Sequence, residues 1–251
     1  MEQLKNKLWV YGHPTNSLKH ITIKDSNVDA VDSLKDFGAE NLFFVHMGLP
    51  CDKNAKCEEM KDVAKVGWGV GSREEAQEII ELKKKWPNIS VVIFDDFFNA
   101  NNPSSNFTNY SIKEMLALKE KFNSVGIEMW AVFYSDQTDP GAWVDYLKVF
   151  DGVTFWFWRE PSREEFDSKC QFLIDNTEGQ KRMLGCFLYN IGHGKEALIE
   201  MTRYQLDKNL ERIKKGELDG IILHTNAFGG VGYKAYDEAA RWCKEHGDDL
   251  V

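Results

Sequence analysis

The chain has 251 residues, of which 43% are apolar, and a formal net charge of −9. This length is enough for one large domain or two small ones, and the apolar content supports a substantial core. The negative charge argues against a nucleic-acid-binding surface, which needs clustered Lys and Arg side chains. No apolar run is long enough to cross a bilayer, so no membrane contact is expected.

The cysteines and the N-terminus bear on the cellular compartment. Five cysteines are scattered along the chain without zinc-finger or redox spacing, and a disulfide framework is not expected at this size. The first residues, Met-Glu-Gln-Leu-Lys-Asn-Lys, have no apolar signal-peptide region. We therefore expect a cytoplasmic protein, or a secreted one if a signal peptide has been removed.

Strand-like and helix-like segments alternate along the chain. Apolar segments rich in β-branched and aromatic residues predict strands over 7–12, 41–48, 66–71, 90–97, 126–134, 151–160, 182–190 and 218–224. Helical patterns follow them around 28–35, within 52–62, from Ser72 to Trp86, from Ser111 to Phe122, from Asp139 to Leu147, from Ser162 to Asn176, over 195–215 and over 233–246. Ser72 and Ser111 are the expected N-caps of their helices.

This alternation predicts a parallel sheet covered by helices. Eight units in about 250 residues predict a (β/α)8 barrel, formed as a single domain over residues 1–251. A doubly wound open sheet is the alternative, but its glycine-rich phosphate fingerprint is missing. The segment 67–71, Gly-Trp-Gly-Val-Gly, has a bulky Trp68 where close backbone approach would be needed.

The fourth predicted strand runs directly into two acids. Val91, Val92, Ile93 and Phe94 form a continuous apolar run, which is typical of a strand buried on both faces, and Asp95 and Asp96 follow at once. Carboxylates in such a place are costly unless they are paired, hydrogen-bonded or used in chemistry. Because successive strand residues point to opposite sides, at least one of the two is expected to face the mouth of the barrel.

Polar and aromatic residues gather at the other predicted strand ends as well. In a barrel these ends converge on the active face. The candidate catalytic residues are Asp96, Asp95 and Glu160, and the candidate substrate-binding residues are His13, His46, Trp68, Tyr134, Trp156, Trp158, Tyr189, Asn190 and His224, with Tyr11 in the same ring. Taken singly, several have a structural interpretation: His46 as a core histidine, and Glu160 as an acid in the first turn of a helix.

Carbohydrate chemistry explains this set best. Glycosidic cleavage passes through a cationic transition state that needs carboxylates and a proton donor. Sugar faces pack on aromatic rings, while their hydroxyls bind polar side chains. Adjacent acids also have a use, because like charges held close raise one pKa and keep one member protonated as a general acid. The expected partner is a small-molecule or oligosaccharide substrate.

A metal site is the weaker alternative. It would need two or three of His13, His46, His193 and His224 to converge with a carboxylate, but no His-x-His or His-Glu-x-x-His spacing supports this. No metal or other cofactor is therefore predicted. A Gly-x-Ser-x-Gly motif for a serine nucleophile is also missing from the sequence.

The segment Phe94-Asp95-Asp96-Phe97 resembles the fourth-strand motif of the glycoside-hydrolase-like (β/α)8 superfamily. It is most similar to the adjacent-carboxylate β-N-acetylhexosaminidase and O-GlcNAc-hydrolase type. The resemblance implies that Asp95 orients the substrate acetamido group and that Asp96 is the general acid/base. It further implies that Tyr134 helps to hold the acetamido group, with Trp156 or Trp158 as the floor of the sugar pocket.

Three alternatives stay open at this stage. Glu160 adds a carboxylate on the sixth strand, so a two-carboxylate mechanism with Asp96 is one of them. Its carboxyl separation would be about 5–5.5 Å for retention or about 6.5–9.5 Å for inversion. The others are a non-catalytic carbohydrate-binding barrel and a metal-dependent hydrolase that uses the barrel-mouth histidines. The sugar, the linkage and the oligomeric state are not predicted.

Overall fold

A computed structural model describes residues 1–15, 17–18, 26–46, 49–71, 73–97, 110–138 and 143–251. Within these ranges eight parallel strands close into a barrel, in which each strand pairs with the next along the chain and the last pairs with the first. The strands are β1 (Leu8–Gly12), β2 (Asn41–Phe44), β3 (Lys65–Val70), β4 (Ile89–Phe94), β5 (Glu128–Tyr134), β6 (Gly152–Trp156), β7 (Lys181–Phe187) and β8 (Gly220–His224). The predicted (β/α)8 barrel is confirmed.

Helices alternate with these strands around the outside. They are α1 (Ala30–Phe37), α2 (Lys53–Glu59), α3 (Arg73–Lys85), α4 (Ile112–Ser124), α5 (Trp143–Leu147), α6 (Arg163–Asn176), α7 (Ile199–Lys214) and α8 (Lys234–His246). The predicted Ser111 cap is confirmed, since Ser111 and Glu114 form a reciprocal capping box at the start of α4. The predicted cap Ser72 and the helix start at Asp139 lie outside the described residues.

Two predicted boundaries were wrong for one reason. The seventh strand ends at Phe187 and α7 begins only at Ile199. Between them Tyr189–Asn190 pairs with Lys195–Glu196 in a small antiparallel hairpin, which takes residues from both predicted elements. The sixth strand also ends earlier than predicted, at Trp156.

Large aromatic rings fill the barrel interior because glycines stand beside them. Phe43 of β2 pairs with Gly67 of β3, and Trp130 of β5 pairs with Gly152 of β6. A Cβ atom added at either glycine would lie 2.2 Å or 2.3 Å from the neighbouring ring. Each glycine therefore leaves space for the neighbouring ring, which the side chain of any larger residue would occupy.

A second, larger apolar layer lies between the barrel and its helices. It includes Leu8, Leu42, Val92 and Phe133 from the outward positions of the strands. The five cysteines are all free. None of the helices in the described ranges is long and apolar enough to span a membrane.

Candidate active site

A pocket of about 100 Å³ opens at the carboxyl ends of the strands. β1, β5 and the ends of β4, β6, β7 and β8 supply most of its wall. The described lining residues are Tyr11, His13, Leu18, Asp95, Asp96, Val132, Tyr134, Trp156, Trp158, Phe187, Ile191 and His224. Seven of the predicted site residues are among them: His13, Asp95, Asp96, Tyr134, Trp156, Trp158 and His224.

Larger depressions elsewhere on the molecule are less suited to chemistry. One of about 290 Å³ lies at the opposite end of the barrel, where Lys181 and Glu128 form an ion pair across it. Another, of about 730 Å³, is an open groove beside α8. In (β/α)8 enzymes the active site lies at the carboxyl ends of the strands, so the smaller mouth pocket is the candidate site.

Both members of the acid pair reach this pocket, for different reasons. Val91 and Ile93 point into the barrel, so strand alternation turns Asp95 inward as well. Asp96 would then point outward, but its φ of 52° places it in the left-handed region. Asp is one of the few side chains that tolerate this conformation. The departure from strand geometry brings the second carboxylate to the same pocket.

The Asp95 carboxyl holds its proton unusually tightly. Burial and the neighbouring charge of Asp96 raise the pKa of Asp95 to about 7. Two groups oppose this rise: the Tyr11 hydroxyl, and the Asp96 backbone N–H, which donates to Asp95 Oδ1 at 3.1 Å. Asp95 is therefore partly protonated near neutral pH, which is the condition for a carboxyl to act as an acid in this pocket.

A tyrosine stands beside each carboxylate. The Tyr134 hydroxyl bonds to Asp96, and burial together with the two acids raises the pKa of Tyr134 well above its ordinary value. Burial and Asp95 do the same to the pKa of Tyr11. The Tyr11 hydroxyl forms no hydrogen bond of normal length and angle, although it is close enough to Asp95 to influence its ionisation. Both phenols thus stay protonated beside the acids.

Two buried histidines close another side of the pocket. His13 Nε2 and His224 Nε2 lie 3.3 Å apart, and His13 Nδ1 lies 3.0 Å from the Val45 carbonyl oxygen. Burial lowers the pKa of His13 to about 4, and burial and His13 lower that of His224. Both rings are therefore neutral at physiological pH. Asn226 fixes His13 in place, accepting from its backbone N–H at 2.8 Å and donating to its carbonyl at 3.0 Å.

The two tryptophans have different positions in the site. Trp156 is buried, donates from Nε1 to Thr154 Oγ1 at 2.9 Å, and meets the Tyr11 ring edge-on at 5.2 Å. Trp158 is 40% exposed and meets the Tyr134 ring edge-on at 5.9 Å. Trp156 forms part of the floor of the pocket, whereas Trp158 offers an open face at its rim.

Two predicted site residues on the β2 and β3 side lie away from the pocket. Trp68 is fully buried in the outer layer, 5.5 Å from the Phe44 ring, because Gly67 and Gly69 take the inward positions of β3. The structure thus contradicts its expected place at the mouth. His46 lies outside the described lining, where Glu75 accepts from its ring nitrogen at 2.5 Å. This hydrogen bond raises the pKa of His46.

Three predicted residues beyond β6 and β7 also lie apart from the acid pair. Glu160 lines a separate small crevice with Tyr189 and Asn190, and its Oε1 accepts from the Leu198 backbone N–H at 2.7 Å. This bond anchors the chain just before α7, whereas the helix that follows Glu160, α6, begins only at Arg163, so Glu160 does not lie in its first turn. Tyr189 packs on Phe228 in the outer layer.

Sequence reasoning missed several apolar lining residues. Phe187 of β7 and Val132 of β5 lie on inward positions and line the pocket. The alternation of side chains along these strands carries the signal for both positions. Leu18 lies in a turn and Ile191 in a short 3-10 helix, and neither gives a periodic signal in the sequence.

The histidines do not assemble a metal cluster in the part of the chain that the structure describes. No three His, Cys, Asp or Glu side chains converge there as ligands. His193 instead bonds through Nδ1 to the Asn190 side-chain oxygen at 3.1 Å. The metal-dependent alternative has no geometric support from the described residues.

Comparison with known proteins supports the fold and goes no further. No family profile matches the sequence, and no curated protein shows significant similarity to it. A chitinase from Chromobacterium violaceum is similar in structure, with a TM-score of 0.58 at 8% identity over 95% of this chain and 99% of that one. A xylanase-A-amylase inhibitor protein is similar as well, with a TM-score of 0.58 at 12% identity over 98% of this chain and 99% of that one.

A tryptophan synthase complex from Pyrococcus furiosus is also similar, with a TM-score of 0.52 at 11% identity over 100% of this chain and 99% of that one. One fold thus carries a hydrolase, an inhibitor and a synthase. The comparisons define the class of protein as a (β/α)8 barrel, and function must be argued from the site.

Proposed function

We propose that the protein is a glycoside hydrolase in which Asp95 and Asp96 act as a pair on a sugar bound at the barrel mouth. The observation that carries this proposal is a pair of adjacent carboxylates in one aromatic-lined pocket, where burial and the charge of Asp96 raise the pKa of Asp95 to about 7. Such a pair supplies both the acid and the anion that glycosidic cleavage requires. The chitinase likeness agrees with this function but does not establish it.

The roles follow from where the proton lies. Asp95, whose pKa is raised to about 7, donates a proton to the glycosidic oxygen as the bond from that oxygen to the anomeric carbon breaks. The charge of Asp96 stabilises the cationic centre that forms. Water then adds to that carbon and returns a proton to Asp95. This arrangement exchanges the roles that the resemblance implies for the two acids.

The rest of the pocket positions the sugar. Trp156 and Trp158 offer aromatic surface for the apolar face of the ring, and Tyr134 holds Asp96. A hexosamine, the sugar class of the family that the sequence resembles, is the first substrate to test. Glu160 has no part in this mechanism, because its carboxylate bonds to the backbone ahead of α7.

The test is turnover of a panel of aryl glycosides and oligosaccharides by the full chain and three variants. Asp95→Asn and Asp96→Asn should each lower kcat by about 10²- to 10⁴-fold. Asp136→Asn removes an exposed acid outside the pocket lining and should leave kcat unchanged. Full turnover in either pocket variant would refute the mechanism.

Binding without turnover would support the second candidate, a carbohydrate-binding barrel without catalysis. The structural likeness to an inhibitor protein gives this candidate its weight. Calorimetry with the same oligosaccharides separates it from the first, because the catalytic proposal requires product release and the binding proposal excludes it.

A further inference from the structure

The charges of the pocket are all of one sign in the part of the chain that the structure describes. Asp95 and Asp96 are the charged side chains of the described lining, and no Lys or Arg is among them. His13 and His224 add no positive charge, because burial keeps both rings neutral. A ligand group that enters this pocket therefore meets a negative field in a desolvated place.

The hydrogen-bond pattern of the histidines leaves an acceptor behind. The Val45 carbonyl requires a proton on His13 Nδ1, so His13 Nε2 carries a lone pair and His224 Nε2 must donate to it. This leaves Nδ1 of His224 as a bare acceptor. The structure gives it no partner, although His224 is only 7% exposed.

A second buried group also lacks a partner. Tyr11 is 4% exposed and lines the pocket, and its hydroxyl makes no hydrogen bond of normal length and angle, although it influences the ionisation of Asp95. Buried polar groups without partners are rare in native structures, because each costs about 1–3 kcal/mol. The His224 Nδ1 lone pair and the Asp96 carboxylate are acceptors that a ligand with several hydrogen-bond donors would satisfy, and the lone pairs of the Tyr11 hydroxyl can accept from the same ligand.

Aromatic rings complete the surroundings. Trp156 and Phe187 lie 5.0 Å apart between centroids, and Trp158 and Phe187 lie 6.2 Å apart. The faces of such rings attract cations, and the attraction is strongest for Trp. A neutral hydroxyl gains little from this environment, whereas an ammonium group gains from the rings and from the carboxylates together.

We propose that the mouth pocket binds an ammonium group, so that the sugar it takes is an amino sugar with a free amine in place of an N-acetyl group. An ammonium offers three donors and a charge, which match the acceptors and the field of the pocket. An acetamido group carries no charge and offers one donor, so it leaves most of these acceptors unmatched, and its carbonyl can accept only from the Tyr11 hydroxyl among the unpartnered groups. This inference rests on the proposed glycoside function and specifies its substrate.

The test uses three matched tetrasaccharides that differ at carbon 2: the β-1,4-glucosamine tetramer, its fully N-acetylated form, and cellotetraose, which has hydroxyls there. Affinities are measured by calorimetry at pH 6, where the amines are charged. The glucosamine tetramer should bind at least tenfold more tightly than either neutral analogue. Asp96→Asn should remove most of this preference, whereas the surface control Asp136→Asn should preserve it.

Equal or tighter binding of the N-acetylated tetramer would overturn the inference and leave the glycosidase proposal standing. A simple amine such as ethylammonium tests the converse case, in which the ammonium site exists but the glycosidase proposal is wrong. If calorimetry shows that ethylammonium binds to wild type but not to Asp96→Asn, and no oligosaccharide binds, the ammonium site stands and the glycoside function fails. If neither the amine nor any tetramer binds, both are refuted.

Discussion

The backbone N–H of Asp96 donates to Oδ1 of its neighbour Asp95 at 3.1 Å. This contact forms because Asp96 adopts a φ of 52°, which turns the chain at the end of β4. It keeps both carboxylates in the lining of one pocket and gives the Asp95 carboxylate one hydrogen-bond donor. The remaining repulsion and the burial of Asp95 keep a proton on the pair. Local backbone conformation thus sets up the acid and the anion of the proposed mechanism.

The activity should fall as the pH rises through about 7. Asp95 acts as an acid only while it is protonated, and its pKa is raised to about 7, so kcat/KM should be constant just below that pH and fall about tenfold per pH unit above it. A profile on the true substrate tests this. A rate that stays constant to pH 9 would exclude Asp95 as the general acid.

Tyr11→Phe should move this alkaline limb to higher pH. The Tyr11 hydroxyl favours the ionised form of Asp95, so its removal should raise the pKa of that carboxyl further. Tyr204→Phe is the control, since Tyr204 bonds to Asp167 on the outer surface. A shift to lower pH in Tyr11→Phe, or an equal shift in the control, would contradict this account.

Asp95→Asn should stabilise the fold at high pH. Because the pKa of Asp95 is higher in the folded than in the unfolded chain, the folded state binds more protons between about pH 4 and pH 7. The contribution of this group is therefore fully present below pH 4 and is lost as the pH rises through 7. The variant should gain about 1–2 kcal/mol over wild type at pH 8 and much less at pH 5. Denaturant melts at the two pH values measure it, and a gain of equal size at both would refute the ionisation argument.

The fold was predictable because the sequence pattern and the strand periodicity agree. Eight apolar segments separated by helical patterns leave few topologies, and the structure has the one expected. The acid pair was also found, since Asp95 and Asp96 directly follow a buried strand. Strand alternation alone does not predict that both acids face the same pocket, because their joint placement depends on the positive φ of Asp96.

The errors in the site have physical reasons too. Trp68 was expected at the mouth, but the flanking glycines already occupied the inward positions, and alternation turns Trp68 outward. Tyr189 follows Phe187 by two residues and would face inward if β7 continued. The hairpin that begins at Tyr189 ends that alternation. The contact between Glu160 and the Leu198 backbone N–H joins residues far apart in sequence, which no local pattern encodes.

The histidine pair should stay neutral throughout the physiological range. Burial lowers the pKa of His13 to about 4 and lowers that of His224 as well, so neither ring should titrate between pH 5.5 and 8. Nitrogen NMR of ¹⁵N-histidine-labelled protein should show the proton of His13 on Nδ1 and that of His224 on Nε2. Titration of either pocket ring near its ordinary pKa would contradict the assignment.

Trp158→Ala should weaken catalysis without unfolding the barrel. The ring is 40% exposed at the rim, so its loss removes a surface for the sugar and leaves the interior intact. We expect kcat/KM to fall about tenfold, which corresponds to about 1.4 kcal/mol. The thermal midpoint should change little, and Trp158→Phe should restore most of the activity. Leu116→Ala, which truncates an exposed apolar residue on α4, is the control. An unchanged kcat/KM in Trp158→Ala would remove this residue from the site.

Gly185→Ala should destabilise the barrel through Trp156. A Cβ atom at this position would lie 2.0 Å from the Trp156 ring, which is buried and fixed by its bond to Thr154. Moving the ring would break this bond and disturb its buried packing, so we expect a loss of about 3 kcal/mol in unfolding free energy. Gly71→Ala is the control, because its added Cβ would meet only Glu75 Oε2 at 3.6 Å. Adding Trp156→Phe to Gly185→Ala should recover part of the loss by giving the new methyl group room. If the double variant is less stable than the sum of the two single changes, the two residues do not compete for one space.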